Sequence, residues 1–263
     1  MAAQDTVSIS SVARDATAAR DILGVRVEPL SLAEAVDVLQ QRIREHRFTR
    51  VGFLNAHSAN VASSRADYSE ALQGFLVLPD GVGVDIASAF LHGVNFPANL
   101  NGTDFVPAFL MAQTKPIKVG LIGTTRQNAE GAAQKLHAIT PRHEIMIIAD
   151  GFFAQDQEHL ILGHLRKVRP DVLLVGMGVP RQELWISRNL SGEHCTIAFA
   201  VGGLLDFMSG AVPRAPHWVR QVRLEWLFRL AQEPGRLWRR YILGNPVFLL
   251  RVLRQKLAGE RRG

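Results

Sequence analysis

Short, wholly apolar runs recur along the chain at Val51–Leu54, Phe75–Leu78, Ile117–Ile122, Ile145–Ile148, Val172–Val175 and Ile197–Val201, and each gives way to Gly, Asn or Asp within a residue or two. Between several of them, as over 128–139 and 155–168, the pattern changes to a helical one. Ser31-Leu-Ala-Glu34 has the form of a capping box, and Leu32, Ala35, Val36, Leu39 and Ile43 follow it as a helical stripe. Strands that are apolar throughout, rather than alternating, are those buried on both faces. The pattern therefore predicts an α/β fold, a parallel sheet with helices on both faces. In such a sheet ligands sit beyond the carboxyl ends of the strands, so the residues that end each apolar run are the ones to inspect.

The pattern breaks at Pro213-Arg214-Ala215-Pro216. Beyond it the spacing predicts three helical stretches, Trp218–Gln232, Arg236–Leu243 and Val247–Leu257, parted by Pro234-Gly235 and by Gly244-Asn245-Pro246. The expected organisation is a flexible tail over 1–22, an α/β domain over 23–213 and a basic helical appendage over 214–263. Charge sharpens this division. Residues 214–263 carry 12 Lys and Arg against 3 Asp and Glu, a net of +9, while the rest of the chain nets −3. Three of the four tryptophans, Trp218, Trp226 and Trp238, lie in the same fifty residues. A near-neutral body with a basic, aromatic appendage points to an anionic partner: phosphates, lipid headgroups or nucleic acid. The last stretch sets Phe248, Leu249, Val252, Leu253 and Leu257 against Arg251, Arg254 and Lys256. It is read either as a helix packed on the body or as a membrane-surface helix.

Composition excludes several classes. At 47% hydrophobic and 21% charged residues the chain is neither disordered nor fibrous. Its single cysteine, Cys195, excludes an internal disulfide and a cysteine-based zinc site, and a reduced, cytoplasmic setting is the expectation. No apolar run approaches the ~18 residues of a membrane span, and residues 1–20 lack the apolar core of a signal peptide. Gly81-x-Gly83 continues to Ile86, and Gly176-x-Gly178 to Arg181, where a dinucleotide fingerprint needs a third glycine. There is no Walker loop, no His-Glu-x-x-His and no Asp-x-Asp pair.

The strand ends offer the chemistry. Asp80, in Pro79-Asp-Gly81-Val-Gly83, is either a general base on a hydroxyl or the cap of the following helix. Asp85 is read as a cap or helix-surface residue, and His57 as a hydrogen-bonding loop residue. Asn101-Gly102-Thr103-Asp104 opens a helix, either as an anion site or as a plain cap. Gly123-Thr-Thr125 can take a phosphate or a ribose. In Gly176-Met-Gly178-Val-Pro-Arg181-Gln182-Glu183-Leu-Trp185, proline and glutamate suit the first turn of a helix, whereas Gln182 is a candidate partner for a sugar or a base edge. Val201-Gly202-Gly203, followed by Asp206, ends the last apolar run.

These segments, taken with Arg214-Ala-Pro216, Leu224-Glu-Trp-Leu-Phe-Arg229-Leu230, Glu233-Pro234 and Arg239-Arg240-Tyr241, resemble the WecG/TagA/CpsF glycosyltransferase family (glycosyltransferase family 26) over about 23–253. The resemblance implies a Rossmann-like domain with a C-terminal helical appendage. It implies an inverting, metal-independent enzyme that moves a sugar from a UDP-sugar to a polyprenyl-diphosphate-linked glycan in cell-surface polysaccharide synthesis. Such an enzyme takes no cofactor, no metal and no nucleic acid. It works from the cytoplasm, peripherally on the inner face of an anionic membrane, with a homo-oligomer possible. By the same resemblance, Asp80 is the base and Asn55 orients substrate beside it. Asn101, Gly102, Asp104, Gly123, Gly178, Arg181, Gln182, Glu183, Gly202 and Gly203 contribute to substrate binding, and Arg214, Arg229, Arg239 and Arg240 meet the diphosphate. Arg239 and Arg240 are not ranked by sequence. Two departures from the family pattern stand out: Leu54-Asn-Ala-His57 where many members have threonine and proline, and Arg181 where many have lysine. A non-catalytic nucleotide-sugar module and a nucleic-acid binder are the alternatives.

Overall fold

The computed structural model describes residues 18–216, 218–219 and 224–261. Residues 1–17, most of the predicted tail, lie outside them, as do 220–223 of the predicted stretch Trp218–Gln232. The chain starts with a hairpin of β1 (Arg20–Ile22) and β2 (Val25–Val27), continues through α1 (Leu32–Arg44), and then enters the main sheet at β3 (Thr49–Leu54). Helices α2 (Ala56–Ser64) and α3 (Ala66–Gln73) lead to β4 (Phe75–Pro79), and α4 (Val82–His92) and α5 (Gly102–Met111) to β5 (Lys118–Gly123). The order continues α6 (Arg126–Ile139), β6 (Glu144–Ala149), α7 (Glu158–Val168), β7 (Val172–Gly176), α8 (Arg181–Asn189), β8 (Ile197–Ala200) and α9 (Leu204–Ser209). The six strands β3–β8 form one sheet in the order β4-β3-β8-β7-β5-β6, every neighbouring pair parallel. All six coincide with the apolar runs of the sequence.

The two-residue period of a strand explains the two cores. Leu173, Val175, Ala198 and Ala200 face one layer, with the hairpin, α2, α3, α7 and α8. Val172, Leu174, Ile197 and Phe199 face the other, with α1, α5, α6 and α9. In that second layer the rings of Phe53, Phe105, Phe109 and Phe199 pack on one another. The Ser31–Glu34 capping box forms as its spacing predicts.

Two expectations need correction. Arg20–Ile22, placed in the tail, are instead a strand whose Ile22 is fully buried with Val25 and Val27. The strands are too short for alternation to reveal, and their anchor is remote: Gln255 accepts from the Leu23 N–H at 2.9 Å and donates to Asp21 at 2.6 Å. In the appendage, α10 (Glu225–Gln232) is followed by α11 (Pro234–Trp238), which runs without a break through a π-helical turn, Arg239–Leu243, into α12 (Gly244–Glu260). Gly244-Asn-Pro246 therefore does not end a helix. A proline ring clashes with the carbonyl four residues back in a regular helix, and the wide turn just before Pro246, in which Gly244 N–H reaches the Arg239 carbonyl, opens that spacing. Phe248 and Val252 bury against the body, and among the described residues no helix is long and apolar enough to cross a membrane.

Candidate active site

The parallel pairing of β3 and β4 brings Asn55 and Asp80 together. Leu54 lies opposite Pro79, and the Asp80 N–H continues the ladder to the Leu54 carbonyl at 2.8 Å. Asn55 caps α2: its Oδ1 accepts from the N–H groups of His57 and Ser58, both at 3.1 Å, and its own N–H donates to Ser58 Oγ. With Oδ1 engaged, the amide nitrogen is turned toward Asp80 and donates to its Oδ2 at 3.0 Å. Asp80 does not cap the next helix. Gly81 occupies that position at φ +93°, a conformation that favours glycine, and a Cβ added to it would meet open space.

Asp80 is half-buried, and loss of hydration raises its pKa above the usual carboxylate range. The Asn55 hydrogen bond and the charges of Arg240 and Arg229 oppose that rise, and Asp104 adds to it. Both arginines come from the appendage. Arg229 lies over the Phe207 ring and Arg240 over the Tyr241 ring, and the Nε of each is buried without a hydrogen-bond partner. Burial lowers the pKa of Arg240. His57, on the first turn of α2, is pushed down to about 4 by burial and then by Arg240, so it is neutral at pH 7.

Arg214 is already engaged, pairing with Asp104 at 2.6 Å and lying 3.8 Å from Glu225. Asn101 caps α5 by accepting from the Asp104 N–H and donates to its carboxylate. That helix start holds a carboxylate and its cation, which fits the plain-cap reading better than an anion site. Gly102 is a packing position, where a Cβ would come within 3.0 Å of the Phe53 ring. Asp85 is not on the surface as expected. It is buried and accepts from the Phe96 N–H at 3.0 Å, tying down the loop after α4.

The neighbouring strand ends form a glycine-rich floor. A Cβ on Gly123 would lie 2.3 Å from the Gly176 carbonyl, so β5 and β7 approach as only glycine allows. Gln182 lies beneath this floor. Its Oε1 accepts from Gly178 N–H at 3.1 Å and Gly202 N–H at 3.0 Å, and its Nε2 donates to Glu183 at 2.8 Å. Gln182 thus clamps the loops after β7 and β8 from within. Glu183 is buried with Oε2 unpartnered, and burial raises its pKa to about 7. Gly203 stands at the start of α9. Arg181 is exposed, donates to the Gly151 carbonyl at 2.9 Å and lies over Phe153, bracing the loop after β6. The structure also separates Arg239 from Arg240: Arg239 lies over Trp238 and lines a different cavity, with Arg65 and Arg251.

In the Gly123-Thr-Thr125 candidate for a phosphate or ribose, the first hydroxyl is committed to Asp206. Thr124, held at φ +53°, donates to Asp206, and Asn128 donates to the same carboxylate oxygen at 2.9 Å. This links the end of β5 to α9. The only sequence signal was position, a polar residue just beyond a strand end. Among the described residues, no three His, Cys, Asp or Glu side chains converge as a metal site would require.

Asp80, Asn55, Arg229 and Arg240 thus form one constellation at the strand ends. Over 229 residues the chain is 28% identical to N-acetylglucosaminyldiphosphoundecaprenol N-acetyl-beta-D-mannosaminyltransferase of Bacillus subtilis (strain 168), covering 86% of this chain and 88% of that protein. It is 26% identical over 249 residues to the protein of the same description in Staphylococcus aureus (strain MW2), covering 92% and 95%. The model of the glycosyl transferase WecG/TagA/CpsF family matches residues 20–262, hairpin and appendage included, and the chain belongs to that family.

Proposed function

We propose that this protein transfers a sugar, with inversion, from a UDP-sugar to a hydroxyl of a polyprenyl-diphosphate-linked sugar, in the assembly of a cell-surface polysaccharide. The observation that carries this reading is Asp80, turned toward the Asn55 amide, raised in basicity by burial and facing two guanidinium groups with unpartnered Nε atoms. Asp80 takes the proton of the acceptor hydroxyl. The oxygen forms its bond to the anomeric carbon on the face opposite the nucleotide, and the bond to the diphosphate breaks, leaving the electron pair on UDP. Arg229 and Arg240, rather than a metal ion, meet the charge that develops there, as fixed donors in a partly desolvated site do most effectively. His57, neutral beside Arg240, adds no competing charge. The relatives' description names N-acetylglucosaminyldiphosphoundecaprenol and an N-acetylmannosaminyl group, and these are the acceptor and donor to try first.

The reading extends to the setting. The buried face of α12 packs on the body, while Leu249, Leu250, Leu253 and Leu257 are exposed beside a strongly basic segment. This supports a peripheral site on the inner face of the cytoplasmic membrane, where the acceptor resides.

The test is a panel of UDP-sugars with a short-chain prenyl-diphosphate N-acetylglucosamine, read by mass spectrometry. One donor should add one sugar residue. Asp80→Asn should then lose about 10²- to 10⁴-fold in turnover while still binding donor. Full turnover in Asp80→Asn would refute the assignment of the base, and donor binding without product for every sugar would favour a non-catalytic module.

A further inference from the structure

A second group of cations lines a surface depression to which Asp80, Arg229 and Arg240 do not contribute. A shallow, open depression of about 340 Å³, lined mainly by apolar surface, lies between α2 and the appendage, with Asn60, Ser64 and Arg65 on one side and Arg239 and Arg251 on the other. Arg251 is fixed in place, donating to the Asn60 carbonyl at 2.7 Å, to Asn60 Oδ1 at 3.0 Å and to Ser64 Oγ at 2.7 Å. Asn60 in turn donates to the Gly244 carbonyl at 2.7 Å. These partners are neutral. Arg65 is matched by Asp67, but among the described residues no carboxylate pairs with Arg239 or Arg251. The depression is therefore bordered by net positive charge, with the Arg251 guanidinium held in a set position and Arg239 beside it, which suits an oxyanion with several acceptor oxygens.

The rim identifies what carries that oxyanion. Leu243 and Val247 line the cavity and are exposed, and they begin a stripe that continues through Leu250, Leu253 and Leu257. The spacing of four, three, three and four residues keeps all five on one side of the helix. Phe248 and Val252, on the side that packs on the body, are buried. A phosphate with an apolar chain attached would place its charge in the cavity and its chain along the stripe. A free anion would use only the first of these features.

We infer that this cavity is a phosphate-headgroup site for an anionic membrane phospholipid, distinct from the Arg229–Arg240 site that faces Asp80. Consecutive residues of a helix point in different directions, so Arg240 serves the reaction and Arg239 the membrane. This inference rests on the membrane-surface reading above and goes beyond it, because a surface held by charge alone has no preference for phosphate.

The test compares flotation of the full chain with phosphatidylcholine vesicles made anionic by phosphatidylglycerol or, at matched zeta potential, by oleate. A charge-assisted hydrogen bond of about 1.5 kcal/mol gives about a tenfold preference for the phosphatidylglycerol vesicles. Arg239→Gln should abolish the preference, as should Arg65→Gln, which alters the opposite wall. Arg254→Gln, an exposed cation of the same helix outside the cavity, should retain it. Soluble glycerol 1-phosphate, at constant ionic strength, should compete it away. Wild-type binding to both vesicles without preference, or a preference that survives Arg239→Gln in a folded protein, overturns the site and leaves the surface reading standing. A preference that saturating glycerol 1-phosphate leaves unchanged also overturns it, since the preference would then arise outside the cavity, and binding of glycerol 1-phosphate without any vesicle preference would mark a free-anion site instead. Failure to float with either vesicle refutes the surface reading itself.

Discussion

Replacing Glu183 with glutamine should make the protein more stable at neutral pH and leave it nearly unchanged in acid. Glu183 is buried on the first turn of α8, with one oxygen bonded by Gln182 and the other unpartnered, and its pKa is about 7 in place of 4.5. Burial, the first cause, also raises Tyr68, which feels the Glu183 charge. A carboxyl with a raised folded pKa binds more protons folded than unfolded between those two values, so stability falls as pH rises from about 4.5 to 7 and is level above. At 1.36 kcal/mol per unit, the shift amounts to about 3 kcal/mol. His57 acts in the opposite sense: depressed to about 4, it makes stability rise with pH up to its unfolded value near 6.5. The wild-type profile is thus partly cancelled, and the difference between wild type and Glu183→Gln, in which His57 is common to both, is the informative quantity. Glutamine keeps an oxygen for the Gln182 bond and cannot ionise. The two urea midpoints should coincide near pH 4.5 and diverge to about 1 M by pH 7.5, taking a slope of about 3 kcal/mol/M. A difference that stays constant with pH would refute the argument.

Three further outcomes follow from the constellation around Asp80. Asn55→Ala removes both the helix cap, worth about 1 kcal/mol, and the Asp80 bond. Asn55→Asp keeps the cap but sets a like charge beside the base, so thermal melts should separate the two variants while turnover falls in both. Arg240→Gln should lower kcat about 10²-fold, the scale of a lost oxyanion donor, in a steady-state assay, and an unchanged kcat would exclude Arg240 from the reaction. The acid limb of kcat/KM should lie above the usual carboxylate range, because Asp80 must be ionised to accept a proton and burial has raised it. Asn55→Ala, which removes a bond that lowers this pKa, should move the limb further toward neutral.

The sheet was legible because burial on both faces leaves a mark that local sequence carries: six apolar runs became six strands. The placement of Asp80 and Asn55 at strand ends was legible for the same reason, since the position after a buried strand is defined by the strand. Direction was not legible. Gln182 is a polar residue near a strand end in any reading, and only the structure shows its amide directed inward to the Gly178 and Gly202 N–H groups. The hairpin was invisible because three-residue strands have no period to read and are sealed by Gln255, 232 residues from Leu23. The helix through Gly244-Asn-Pro246 was hidden because a π turn, set by tertiary packing, removes the clash that proline's local rules foresee.

That turn also bears on how the two halves of the chain work together. Asp80, the proposed base, comes from the body and is fixed by strand register, since its N–H extends the ladder between β3 and β4. The cations come from the appendage and are fixed by packing, through Phe248 and Val252 against the body and through Arg251 and the Gly244 carbonyl against Asn60. A regular helix turns 100° per residue, and neighbouring side chains already diverge. The wider π turn falls at the two residues that must serve opposite sides, Arg239 on the cavity and Arg240 near Asp80. Arg240 and the cavity-lining residues Arg239, Leu243, Val247 and Arg251 belong to one continuous helix. On the proposed function, the appendage therefore joins the exposed apolar stripe and the cations near Asp80 in one packed unit, continuous through the turn between Arg239 and Leu243.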